Sequence, residues 1–197
     1  LDDGARRAYR RTVEQTARKL IEVFENNRTV EADGEDKVTA EFGEIMVSMS
    51  SSRSLEVLFE HNSLPISELW KPKLTGNEGF DFHTVCPSDL VNFGEAKFSS
   101  SRNPYGGDTG GTHGAAGQAD GFFLEEKHLR DRVYLVDLVD GQKIQNLDGD
   151  KFGAIVSFSM NAANPLNVFS NAVSHAVTLP NLANAEKIYV VGVSYDG

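Results

Sequence analysis

Apolar positions along the chain follow two periods. Over residues 5–26 they recur at Tyr9, Val13, Ala17, Leu20, Ile21 and Phe24, the spacing of one helix face. A second stripe of Val38, Phe42, Ile45 and Met49 predicts a helix over 36–50. The polar run "SSSRS" loosens that stripe, and "LEVLFEHN" beyond it is a short apolar element of either type. Residues 79–86 and 90–98 then alternate about Pro87-Ser88-Asp89, which predicts a hairpin. A helix is predicted from Ala115 to Arg132, running into "VYLVDLV", which reads as its end or as a strand. Strands are predicted at 152–160 and 187–195, with a short helix between them. The order of helices, hairpin, helix, strand, helix, strand predicts an α/β fold: a mixed central β-sheet flanked by helices on both faces.

Composition narrows this picture. With 197 residues, 40% hydrophobic and 24% charged, the chain reads as a single domain over 1–197, with an N-terminal helix within 1–28. The six basic residues of that helix, Arg6, Arg7, Arg10, Arg11, Arg18 and Lys19, read as a solvated face. No apolar run approaches the ~20 residues of a membrane span, so no membrane association is expected. The start, "LDDGARRAYRRTVEQ", has neither a secretory apolar stretch nor an initiator Met, and the end follows a strand directly; a trimmed chain or fragment is the expectation. Cys86 is the single cysteine, which rules out an internal disulfide framework and fits a cytoplasmic location. The net charge of −10 argues against strong nucleic-acid binding by this chain alone. It leaves room for a metal-holding acidic cluster, with a basic surface supplied by a partner.

The hairpin carries the candidate chemistry. With Ser88 at the turn centre, Asp81 falls opposite Glu95. Alternation then places Asp81, His83, Phe93, Glu95 and Lys97 on one face, and Phe80, Phe82, Gly94, Ala96 and Phe98 on the other. Opposed carboxylates repel unless a cation lies between them, and Lys97 cannot neutralise both. Carboxylate oxygens suit Mg²⁺ or Mn²⁺, which would polarise a phosphoryl oxygen and activate a water. Lys97 would orient or help deprotonate that water, or stabilise developing charge. Such a constellation is a phosphodiester-hydrolysis site. A partly buried sheet histidine is the reading for His83, and packing that for Cys86.

"GFDF" followed by "GEAKF" resembles the PD-(D/E)XK nuclease superfamily, which has the restriction-endonuclease-like fold. The resemblance covers roughly 36–160, the expected nuclease-like core. It implies catalytic roles for Asp81, Glu95 and Lys97, and a metal site made of Asp81, Glu95 and the Ala96 backbone carbonyl. It also implies an added glutamate from the preceding helix: Glu44, with Glu41 one turn away as the alternative. The superfamily's proline before the first acid is absent, replaced by Gly79-Phe80. Within the superfamily, "GNEGFDFH" and "GEAKFS" are similar to the nuclease subunits of Hachiman-type anti-phage defence, which pair with a helicase. The implied function is metal-dependent cutting of DNA in defence, with Arg102 and Gln118 as candidate nucleic-acid contacts. The alternative is a catalytically inactive subunit of this fold that acts as a binding or regulatory module.

Overall fold

The computed structural model describes residue 11 and residues 37–67, 79–98, 104–106, 114–160 and 162–194. Apart from residue 11, the helix expected over 5–26 lies outside these residues, as does Arg102. The described residues form a five-stranded mixed sheet flanked by helices. In chain order the elements are α1 (Lys37–Phe59), β1 (Asn62–Ser63), β2 (Phe82–Val85), β3 (Val91–Lys97), α2 (Ala115–Leu124), α3 (Lys127–Leu135), α4 (Gly141–Asp148), β4 (Gly153–Met160), α5 (Pro165–Ala176) and β5 (Lys187–Ser194). Strand order follows the chain, β1-β2-β3-β4-β5. The first three strands run antiparallel; β4 and β5 run parallel to β3. The β2–β3 register matches the predicted hairpin, with Phe82 opposite Gly94 and His83 opposite Phe93.

Alternation along the interior strand β4 separates two cores. Ala154, Val156 and Phe158 face a large cluster with Phe93, Phe122, Phe123, Leu135 and Leu147. Ile155 faces a smaller cluster with Val47, Leu55, Phe82 and Ala96. Helices α2 to α5 thus cover one face and α1 the other. Because β4 is buried on both faces, its sequence is nearly all apolar.

Helix α1 departs from its predicted form in two ways. It runs unbroken through "SSSRS" to Phe59, so "LEVLFEHN" supplies its last turns. Its buried face follows the predicted stripe only in part: Ile45 is buried, but Met49 is 42% exposed, and Val47, Ser48, Ser51, Ser52 and Leu55 are buried instead. Small residues bring the helix axis close to the sheet, and that packing outweighs the weak helix propensity of serine. Ser54 Oγ donates to the Ser50 carbonyl, turning a competing hydroxyl back onto its own helix.

The helix predicted over 115–132 is two. Glu126 adopts a left-handed conformation between α2 and α3. The break sets His128 and Phe123 together on Phe152, with centroid separations of 4.9 Å each. "VYL" completes α3, and the following residues are turn rather than strand. Helix α4 has no counterpart among the elements the pattern predicts. Its signal was present: Asp140 caps it, accepting from the Gln142 and Lys143 amides, with Ile144 and Leu147 one turn apart.

Candidate functional site

Asp81 lies where β2 stops being regular. Phe80 packs against Phe93 in the large cluster, at 5.2 Å between ring centroids, while Phe82 turns to the α1 side. Phe80 therefore does not share the Phe82 face as alternation predicted. The chain bends at Asp81 instead. The Asp81 amide donates to the Gly94 carbonyl at 2.9 Å, and its carbonyl accepts from the Ser67 amide at 2.8 Å. Since the β2 ladder ends at Phe82, the Ala96 amide further along β3 has no strand partner on that side. A buried amide needs an acceptor, and Asp81 Oδ2 provides it at 2.6 Å.

Glu95 stands on β3 with its side chain 1% exposed. Lys97, two residues on, is at the strand end. Its Nζ lies 2.9 Å from Glu44 Oε1 and 3.8 Å from Glu95 Oε1. Helix α1 reaches this point because Gly43 has no side chain: a Cβ there would sit 2.1 Å from Phe98 Cγ. The Phe98 ring fills that space and holds Glu44 beside the end of β3. Glu41 is on the same helix, but its side chain lies outside the described residues.

The structure thus brings Glu44, Glu95 and Lys97 into contact, with Asp81 close enough to act on the ammonium electrostatically. Burial would lower the Lys97 pKa; Glu95, then Glu44, then Asp81 outweigh it, and the net direction is up. Lys97 is therefore an ammonium at neutral pH. It can neutralise at most one of three neighbouring carboxyl groups. Their oxygens are hard donors of the kind that hold Mg²⁺ or Mn²⁺. Among the described residues, no group of three or more His, Cys, Asp or Glu side chains is set out to hold a metal ion. Lys97 stands between Glu44 and Glu95, so these donors suit a cation by chemistry rather than as a ready-made cage.

Gln118 occupies the first turns of α2, half-buried, and the ion pairs of Lys97 are with Glu44 and Glu95. His83 is more buried than expected, at 0% exposure. Its Nδ1 lies 2.8 Å from Ser67 Oγ and its Nε2 3.0 Å from Asp131 Oδ2. Sequence reasoning missed Ser67 and Asp131, which are separated from His83 by 16 and 48 positions and carry no motif. Cys86 is buried and hydrogen-bonded to the Tyr189 phenol, whose pKa rises to about 12, chiefly through burial and then through Cys86. No helix among the described residues is long and apolar enough to cross a membrane. Comparison with protein-family models, with curated proteins and with solved structures finds no match to this chain.

Proposed function

We infer that this chain is a metal-dependent nuclease that hydrolyses DNA phosphodiester bonds, of the PD-(D/E)XK type and with the restriction-endonuclease-like core. The observation that carries this reading is the Lys97 ammonium, held 2.9 Å from Glu44 and 3.8 Å from Glu95 beside the bend at Asp81. Three acids and a lysine, contributed by α1, by the β2 bend and by β3, meet at one strand end, as an acid followed by Glu-x-Lys requires. The element order agrees as well: helix, antiparallel meander, helices, then a strand parallel to the third.

Asp81, Glu95, Glu44 and the Ala96 carbonyl would hold the ion. Mg²⁺ or Mn²⁺ held there would polarise a phosphoryl oxygen and lower the pKa of a water. Lys97, protonated, would orient the attacking water and stabilise negative charge growing on phosphorus; its raised pKa makes it a poor proton acceptor. A helicase partner that captures DNA suits a chain of net charge −10, and with it a role in anti-phage defence. One second reading is a catalytically inactive subunit serving as a binding or regulatory module; Lys97, paired with Glu44 and near Glu95, already supplies a positive charge there.

The test is plasmid nicking with Mg²⁺ or Mn²⁺, alone and with a helicase partner. Cutting should need the divalent ion, stop on chelation, and be lost in Asp81→Asn and Glu95→Gln. Failure to cut with every metal and partner would favour the inactive subunit.

A further inference from the structure

We propose that His83 is a positioning residue, which with Ser67 and Asp131 fixes the bend at Asp81 and so keeps its carboxylate on the Ala96 amide. Asp81 is not held by a regular ladder. Its amide goes to the Gly94 carbonyl, its carbonyl takes the Ser67 amide, and its Oδ2 takes the Ala96 amide. Ser67 is therefore the outer support of the bend, and the side chain of Ser67 is fastened in turn. Its hydroxyl meets His83 Nδ1 at 2.8 Å, and His83 Nε2 meets Asp131 Oδ2 on α3 at 3.0 Å. Ser67 and His83 are 0% exposed and Asp131 is 3% exposed. An ionised Asp131 carboxylate only accepts, so it fixes the proton on Nε2; in the neutral ring Nδ1 then accepts from Ser67.

Burial of all three groups rules out a nucleophilic serine open to substrate. A chain that runs from a helix through a strand to the backbone of Asp81 has a different use: it transmits the rigidity of the α3 packing to the acid. Its catalytic consequence rests on the nuclease reading; the position of Asp81 does not.

Amide hydrogen exchange of the full chain, read residue by residue, tests it. The Ala96 amide reports the Asp81 carboxylate, and the Val156 amide in β4 reports global opening. Ser67→Ala should speed Ala96 exchange about tenfold or more relative to Val156, as for a lost buried hydrogen bond. Ser67→Thr, which keeps the hydroxyl, should restore protection. His83→Gln and Asp131→Asn give independent variants in case Ser67→Ala folds poorly. If Ala96 and Val156 exchange change together in every variant, the network is merely structural and the proposal is overturned. Plasmid nicking by the same variants separates the two readings: a wild-type chain that never cuts sinks the nuclease, while the Ala96 result still decides the role of His83.

Discussion

Lys97 is the residue on which most of the site turns. As an ammonium between Glu44 and Glu95 it competes for the position a divalent cation would neutralise. Replacing it with methionine should therefore have opposite effects on two measurements. Nicking should fall by about a hundredfold or more, the usual scale for removing one preorganised charge from a transition state. The rise in Tm on adding Mg²⁺ should become larger than in wild type, because the acids then lack their internal cation. A Lys97→Met protein that cuts normally, or that gains no more from Mg²⁺ than wild type, contradicts this account. The same tether has a pH signature. Since the folded pKa of Lys97 is raised, its contribution is fully present below the ordinary lysine value and is lost as pH rises through the folded one. The stability gap between wild type and Lys97→Met, measured by urea unfolding, should stay level through neutral pH and close only in strong alkali.

At the level of elements, the junction of α1 with β3 depends on a missing side chain. Alanine at Gly43 would add about 1 kcal/mol of helix propensity, yet its Cβ would strike the Phe98 ring. Overpacking of this kind costs about 1–3 kcal/mol, so Gly43→Ala should destabilise on balance, and Phe98→Ala should relieve it in a double-mutant cycle. Additive losses in that cycle would rule out the contact. Two histidines each contribute an acid-side loss of stability to these packed elements. Burial and then Lys187 hold the His61 pKa down; burial also lowers that of His128, against Asp150, Glu126 and Asp131. Depressed values mean that stability is complete above about pH 6.5 and declines as pH falls, because the unfolded chain takes up protons first. Replacing either ring with glutamine should flatten the decline in unfolding midpoint between pH 7 and 5; an unchanged slope excludes that histidine as its source. Much at this scale could be read from the chain itself. The hairpin register followed from alternation about Ser88, and β4 and β5 from their apolar runs. The helix through "SSSRS", the break at Glu126 and the bend at Asp81 could not, because each is decided by contacts with residues distant in sequence: the sheet under α1, Phe152 under His128, and the Ala96 amide at the end of the β2 ladder.

For the molecule as a whole, net charge bears on how DNA could be bound. A net charge of −10 repels phosphate, and each phosphate contact must come from a local cluster of basic residues working against that field. Non-specific affinity for DNA arises mainly from counterion release, so few contacts mean both weak binding and a shallow dependence on salt. The isolated chain should therefore bind duplex DNA weakly in fluorescence anisotropy, with a slope of log affinity against log salt of small magnitude. A helicase partner that supplies the basic surface should raise both the affinity and that magnitude, while Lys97→Met in the complex removes cutting and leaves the slope intact. Tight binding by the isolated chain, with a steep slope, would show that it carries its own phosphate-binding surface and needs no partner to reach DNA. An unchanged affinity in the complex would instead mean that the partner acts after binding, by opening the site around Lys97 rather than by delivering the substrate.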